Sequence, residues 1–93
     1  MKPPGAVRRR VIVSGDVQGV FFRQTCRRVA VENEVNGWVR NLPDGRVEAV
    51  FEGAEPQVDR VVAWARHGPA QARVRDVTVR AEQPEGLTTF SVE

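Results

Sequence analysis

The sequence predicts one α+β domain whose segments follow the order β-α-β-β-α-β, with a further short strand at the C-terminal end. Short runs rich in valine and isoleucine alternate with two segments whose apolar residues recur at helical spacing. The chain has 93 residues, enough for a single hydrophobic core. Its 41% hydrophobic and 28% charged content is ordinary for a soluble globular protein.

The first strand and first helix are predicted from two different apolar patterns. Residues 1–6 are expected to form a flexible lead, and residues 7–93 the domain. A β-rich run at positions 11–13 predicts a first strand over residues 7–14. A helix is predicted from residue 22 to about residue 33, because its apolar residues fall on one helical face. These residues are Phe22, Cys26, Val29 and Ala30.

A hairpin and a second helix follow. Strands are predicted over residues 35–41 and 47–51, joined by residues 42–45, where Pro43 and Asp44-Gly45 fit a type I turn followed by a glycine at positive φ. The second helix begins after Gly53 and ends near residues 67–69. Its apolar stripe at i, i+3, i+4 and i+7 consists of Val58, Val61, Val62 and Ala65.

The last strands complete a ferredoxin-like layout. Residues 73–82 alternate between apolar and polar side chains, as a half-buried strand does, and Phe90 and Val92 lie in a short final strand. The order of elements predicts an antiparallel sheet with both helices on one face. In that layout the third strand separates the first and second strands. The loop after the first strand therefore shares one sheet edge with Asn41, about 10 Å away.

The loop over residues 15–21 is a candidate anion site. It joins a strand to a helix and has a glycine near each end, so its backbone N–H groups can converge on one point. Arg23 lies within the first turn of the helix, and its planar guanidinium suits a phosphate. An alternative is that the glycines only form a tight turn and Arg23 is solvated. The amides predicted to bind phosphate are those of Gly15, Val17, Gln18, Gly19 and Val20.

Asn41 is the second candidate, at the tip of the strand that enters the hairpin. Its carboxamide carries both a donor and an acceptor and can orient a water molecule without acting as a base. An asparagine at the start of a turn often bonds its own backbone instead, which is the alternative interpretation.

Three segments together resemble the acylphosphatase family. They are G-x-V-Q-G-V-F-F-R at 15–23, G-W-V-R-N-x-x-D-G-x-V-E at 37–48 and G-P-x-x-A-x-V at 68–74, in order and spread over almost the whole chain. The resemblance implies an acylphosphate phosphohydrolase that cleaves acyl phosphates to a carboxylate and inorganic phosphate without a metal. It also implies catalytic roles for Arg23 and Asn41.

The chemistry of acyl phosphates fits these few groups. The leaving group is a carboxylate whose conjugate acid has a pKa of about 4, so its departure needs little help from a general acid. Phosphoryl transfer depends mainly on positioning and on stabilising charge. Loop amides and Arg23 can stabilise the charge, and Asn41 can place the water.

Other chemistries find little support in the sequence. The Cys-x5-Arg loop of cysteine phosphatases would need arginine at position 32, where Glu32 stands, so Cys26 is expected to be a buried structural thiol. His67 ends a helix without a visible partner and receives no function. No metal-ligand or cofactor motif is present, and no cofactor is expected.

Composition also bears on partners and location. One cysteine and the absence of a long apolar run favour a cytoplasmic protein that does not bind membranes, and a monomer is expected. The arginine cluster at residues 8–10 is expected to be solvated surface, as short charge clusters at the start of a strand usually are. A nucleic-acid contact would need exposed aromatics beside the cluster, and none lie nearby. RNA binding through the sheet would depend on Phe51 and Trp38. A non-catalytic anion- or protein-binding module remains a second function class.

One position departs from the family pattern. Acylphosphatases usually have glycine where this chain has Glu34, just past the first helix. A glutamate held at positive φ would cost about 1 kcal/mol. Asn33 could take the left-handed position instead, since asparagine tolerates it better than most residues.

Overall fold

The computed structural model describes residues 5–93 and contains five strands and two helices. Their bounds are β1 (Ala6–Asp16), α1 (Phe22–Glu32), β2 (Asn36–Asn41), β3 (Val47–Ala54), α2 (Glu55–Ala65), β4 (Arg73–Glu82) and β5 (Phe90–Val92). The predicted order of elements is confirmed. Residues 1–4 of the expected flexible lead lie outside the described part, and β1 already begins at Ala6.

The sheet has the strand order β4-β1-β3-β2-β5. β3 lies between β1 and β2 and runs antiparallel to both, as predicted. The predicted antiparallel sheet is confirmed for β1 to β4, and the short C-terminal strand β5, whose partner the sequence did not specify, pairs with β2 in parallel and makes the five-stranded sheet mixed. The four-stranded part is antiparallel, and β5 adds the single parallel pairing at its edge. Because β1 and β2 run in the same direction, the loop after β1 and the end of β2 meet at one edge of the sheet.

Both helices pack on one face of the sheet. The predicted stripe of α2 is buried in full, and in α1 the buried residues are Phe22, Cys26 and Ala30, with Val29 partly covered. From the sheet, Val11, Val13 and Phe51 face these stripes and are at most 1% exposed. Phe51 stacks on Phe90, with ring centroids 6.0 Å apart. It is therefore a core residue and unavailable for RNA, which removes one of the two aromatics that such a role required.

The burial of Cys26 and the length of the two helices test two further predictions. The Cys26 side chain is fully buried, and burial raises the pKa of its thiol, so the expectation of a structural cysteine is confirmed. Both helices span 11 residues, and neither helix in the described range is long and apolar enough to cross a membrane.

β4 is less covered than its alternation predicted. Val77 and Val79 do share the face that β1 turns toward the helices, but Val79 remains 39% exposed. The physical reason is position, because β4 is an edge strand and the helices pack mainly on β1, β2, β3 and β5.

The opposite face of the sheet carries a charged network that includes Arg8 and Arg10, so the expectation that residues 8–10 form a solvated cluster is wrong for these two arginines. Arg8 is only 3% exposed and donates to Glu52 at 2.6 Å and to Glu82 at 2.8 Å. Arg10 donates to Glu82 at 2.7 Å and to Glu48 at 2.8 Å. Both arginines point to this face because β1 alternates, and the neighbouring strands place carboxylates opposite them.

Trp38 lies in the same network. The Arg10 guanidinium is 5.5 Å from the Trp38 ring centroid and that of Arg40 is 5.2 Å away, while Arg40 also bonds Glu48. In these cation–π contacts both guanidinium groups lie close to the Trp38 ring. The Trp38 ring and both arginines therefore form part of the charged network on this face of the sheet.

Glu52 holds the chain between β4 and β5. Its carboxylate accepts N–H bonds from Glu85, Gly86 and Leu87 at 2.9 to 3.1 Å. Burial opposes ionisation of Glu52, but these amides and Arg8 outweigh that effect and lower its pKa. One buried carboxylate on β3 thus fixes the approach to β5.

We predict that this network makes folding stability depend on pH in the acid range. Hydrogen bonds from Arg10 and Arg8 lower the pKa of Glu82 from 4.5 to about 2. Glu82 therefore takes up its proton at a higher pH in the unfolded chain than in the folded one, so its contribution to stability is complete above pH 4.5 and is lost as the pH falls toward about 2. The Glu82→Gln variant should show a shallower slope of unfolding free energy against pH, measured by urea titration. An unchanged slope would contradict this account.

Glu34 adopts the left-handed conformation, and Asn33 does not. Their φ values are +59° and −99°, and the Asn33 side chain instead donates to the Val29 carbonyl at 2.8 Å. The expectation that Asn33 could take the left-handed position is therefore wrong. The next residue, Val35, is 1% exposed and bonds the Ala30 carbonyl, which fixes the backbone around Glu34.

We expect Glu34→Gly to stabilise the fold by about 1 kcal/mol, because the substitution relieves a left-handed glutamate whose side chain is exposed. Glu32→Gly is the control, since it places glycine at the last residue of α1 and removes the exposed Arg28–Glu32 pair, and it should destabilise by up to about 1 kcal/mol. Denaturant unfolding of both variants measures whether each substitution raises or lowers the free energy of unfolding. Destabilisation by both substitutions would show that the conformation of Glu34 carries no strain.

Candidate active site

A cavity of about 180 Å³ opens at the sheet edge where β1 and β2 end. Arg23 and Asn41 both line it, together with Val17, Gly19, Phe21, Phe22 and Gln24. Two of the five predicted amide-bearing residues, Val17 and Gly19, belong to this wall. Gln18 and Val20 lie between the wall residues in the loop, and Gly15 lies in β1.

Gly15 is required by the packing of β1 on β4. It lies at a register shift between the two strands, with φ +125°, and a Cβ there would overlap the backbone of Arg73. Its immediate role is thus to let β4 approach where β1 turns into the loop. The close approach fixes the start of the loop.

The loop leaves its amides unpaired. Among residues 5–93, no backbone carbonyl accepts a bond from the N–H groups of residues 17–21. Phe21 then occupies the N-cap position of α1 at φ +61° and gives no side-chain cap, and no acidic residue lies in the first turn. Unpaired amides and a bare helix N-terminus attract an anion. The local backbone therefore provides partial positive charge where the cavity lies.

Arg23 is oriented by the C-terminal segment. Its Nη1 donates to the main-chain oxygen of Glu93 at 2.8 Å, and the Glu93 N–H bonds the Val39 carbonyl at 2.9 Å. The guanidinium makes no other hydrogen bond to residues 5–93. Its remaining N–H groups can therefore serve a ligand. Sequence reasoning missed this contact, because nothing in the pattern near Glu93 indicates where its backbone lies.

Asn41 ends β2 with its side chain exposed. The local turn role is filled by Asp44, whose Oδ1 accepts the Arg46 N–H at 3.1 Å, and Gly45 has φ +96°. The predicted turn is confirmed. The Asn41 carboxamide makes no hydrogen bond within the described chain, so the alternative in which it bonds its own backbone is not the arrangement found.

Gln18 connects the loop to the hairpin, a role that the sequence did not reveal. Its Nε2 donates to the Leu42 carbonyl at 2.8 Å and to the Arg46 carbonyl at 2.9 Å. The same two residues close the hairpin through the Leu42 N–H. One side-chain amide thus ties the amide-rich loop to the turn that carries Asn41, and sets the separation of the two halves of the site.

The structure shows why the segment at residues 68–74 begins with glycine. A Cβ at this position would lie 2.8 Å from Phe22 Cε2, and the Phe22 ring packs on Trp64 with centroids 5.1 Å apart. Only glycine leaves room for the ring. The end of α2 therefore positions the first residue of α1, which precedes Arg23. His67 is exposed beside it, and the described residues contain no cluster of His, Cys, Asp and Glu suited to a metal ion.

A family model, one relative and two solved structures carry the same family name. The acylphosphatase family model matches residues 9–92. A protein named acylphosphatase from Gloeobacter violaceus is 56% identical over 87 residues, which are 94% of this chain and 94% of that protein. The solved structure of an acylphosphatase from Coxiella burnetii has a TM-score of 0.94 at 38% identity and covers 100% of this chain and 98% of its own. That of Bacillus subtilis gives 0.90 at 36%, covering 94% and 98%.

We predict that Gln18→Ala weakens binding of inorganic phosphate about five- to thirtyfold, equivalent to the ~1–2 kcal/mol of its hydrogen bonds. The loop loses its tie to the hairpin and must be ordered by the ligand. Gln18→Glu should weaken binding further, because a carboxylate would face two carbonyl oxygens. Isothermal titration gives the affinities. Equal phosphate affinity in the wild type and both variants would show that the tie does not order the loop.

Proposed function

The chain belongs to the acylphosphatase family and hydrolyses acyl phosphates, and from that premise we propose how its residues divide the work. Arg23 and the loop amides bind the phosphoryl group, and Asn41 orients the attacking water. The observation that carries the proposal is that one cavity is lined by both side chains and by the loop. Expected phosphate contacts are the amides of Gly15, Val17, Gln18, Gly19 and Val20.

Phosphoryl binding depends on groups that are already in place. The amides of residues 17–21 lack backbone partners, and the first turn of α1 adds the positive end of the helix dipole. Arg23 contributes a charged fork, one of whose nitrogens is held by Glu93. Because these donors need no rearrangement, they can stabilise the charge on the equatorial oxygens as the transition state forms.

The water is placed by Asn41 at the far side of the cavity. Its amide oxygen can accept a hydrogen bond from water and its NH₂ group can donate one to a phosphoryl oxygen. In a loose transition state the P–O bond to the acyl oxygen is nearly broken before the water bond forms, so the water needs orientation more than deprotonation. The acyl oxygen leaves as a carboxylate, which needs no protonation.

The cavity wall fits this division. None of its seven lining residues is a carboxylate, histidine or cysteine. The wall therefore offers no carboxyl, imidazole or thiol group for general acid or base catalysis, and the proposed acceleration rests on positioning and on charge. We propose that Arg23 and the amides supply the positive charge that other phosphoryl-transfer enzymes take from a metal, so that turnover continues in chelator.

The proposed enzyme acts as a monomer, with Arg23, Asn41 and the loop of the same chain performing the reaction. The single cysteine is buried and needs no oxidising compartment, which is consistent with the proposed cytoplasmic location. Light scattering coupled to gel filtration tests the oligomeric state directly.

We predict that Arg23→Ala lowers kcat/KM for an aryl acyl phosphate by about 10²- to 10³-fold, the range seen when one charge-stabilising donor is lost. Arg23→Lys should recover only part of this loss, since lysine keeps the charge without the planar fork. Arg28→Ala on the same helix, which removes an exposed arginine paired with Glu32, is the matched control. The assay is run in chelator on variants whose folding has been checked by circular dichroism.

Asn41→Ala should mainly lower kcat, whereas Arg23→Ala should also weaken competitive inhibition by inorganic phosphate. Asn33→Ala is the asparagine control, since it removes a helix-end hydrogen bond away from the cavity. Full activity in a folded Arg23→Ala or Asn41→Ala variant would overturn the assigned roles. Activity abolished by chelator and restored by a divalent cation would overturn the metal-independent mechanism.

A further inference from the structure

Phe21 combines two unfavourable features at the edge of the cavity. Its side chain is 68% exposed, which makes it the most exposed large hydrophobic residue of the described chain. Its φ of +61° is a conformation that bulky side chains rarely adopt, and only Glu34 shares it among the non-glycine residues described. Such departures in a folded domain concentrate at functional sites.

The fold itself gives no reason for phenylalanine at this position. The left-handed backbone helps the chain turn into α1, and glycine would make the same turn without strain. The ring is not part of the hydrophobic core, unlike that of the adjacent Phe22, which is 3% exposed and packs on Trp64. An exposed aromatic at a strained position adds no evident stability, so its use must lie in what it contacts.

We propose that the Phe21 ring binds the acyl group of the substrate and makes this enzyme prefer acyl phosphates with an apolar, above all aromatic, acyl group. The inference rests on the proposed function, because it takes the phosphoryl group to lie at Arg23 and Asn41. Phe21 is thus a specificity-determining residue, not a group that acts on the phosphorus.

The cavity has one polar and one apolar side. Arg23, Gln24 and Asn41 supply its polar side chains, and the apolar wall residues are Val17, Phe21 and Phe22. Val17 and Phe22 are 1% and 3% exposed, so Phe21 presents most of the accessible apolar side-chain surface there. The acyl carbon is joined to phosphorus through one bridging oxygen, so an acyl group must lie beside a phosphoryl group held at the loop. A ring that lies flat against Phe21 would bury apolar area on both partners.

The alternative is that only the backbone conformation at position 21 matters, because it directs the loop amides toward the anion. The two accounts differ in what Phe21→Gly does. If only the backbone matters, glycine keeps the function, since it adopts positive φ without strain. If the ring matters, glycine keeps the loop and loses the preference for aromatic substrates.

The test compares kcat/KM for benzoyl phosphate and acetyl phosphate in the wild type, Phe21→Gly and Phe21→Leu. We expect the benzoyl-to-acetyl ratio to fall about tenfold in Phe21→Gly, as losing roughly 50 Å² of apolar contact implies. Phe21→Leu should give an intermediate ratio. Val31→Ala removes another exposed apolar side chain, outside the cavity wall and 52% exposed, and should leave the ratio unchanged.

The inhibition constant of inorganic phosphate separates this proposal from the one on which it rests. A ratio that is unchanged in Phe21→Gly overturns the role of the ring. Parallel losses for benzoyl phosphate, acetyl phosphate and inorganic phosphate also overturn it, since they would mean that Phe21 only supports the loop. Failure of the folded wild type to hydrolyse either substrate would refute the catalytic assignment instead, whatever position 21 does.

Discussion

The position of β3 between β1 and β2 is the constraint on which the rest of the structure depends. Antiparallel pairing on both sides forces β1 and β2 to run in one direction, so the loop after β1 and the end of β2 must meet at the same edge. The two halves of the active site are separated in sequence and come from different loops. They become neighbours through backbone pairing alone, and the Gln18 side chain then fixes their separation.

β3 also organises the opposite face, which influences the site from a distance. Its carboxylates Glu48 and Glu52 collect arginines from β1 and β2, and Glu52 binds three amides of the segment before β5. β5 runs on to Glu93, whose main-chain oxygen holds Arg23. A buried carboxylate is favourable only when it is fully hydrogen-bonded, and here that requirement determines where the C-terminal segment lies. Glu52 thus fixes the segment that leads into β5, and the residue that follows β5 holds Arg23.

Much of this could be predicted from the sequence, because the determining signals are local. The apolar stripes of α1 and α2, the Asp44-Gly45 turn and the glycines of the loop each report the conformation of their own segment. The missed features depend on tertiary pairing. The burial of Arg8 follows from carboxylates on two other strands, and the parallel pairing of β5 follows from the available edge of β2. The hydrogen bonds of the Gln18 side chain and the exposure of the Phe21 ring could not be predicted, since a bond to a distant carbonyl and a side chain's exposure leave no pattern in neighbouring residues.

The site concentrates features that oppose folding. Amides without partners, an uncapped helix N-terminus, a left-handed phenylalanine and an exposed aromatic ring all lie within residues 17–23. Each would be relieved by a capping side chain or a glycine, but a cap would occupy the donors that a phosphoryl group needs. The close approach of Gly15 to β4, the Gln18 hydrogen bonds to the hairpin and the packing of Phe22 on Trp64 hold the loop in this unfavourable state. The unpaired N–H groups make the loop less stable, and the same N–H groups are free to stabilise charge in the transition state. What destabilises the loop therefore also prepares it for catalysis.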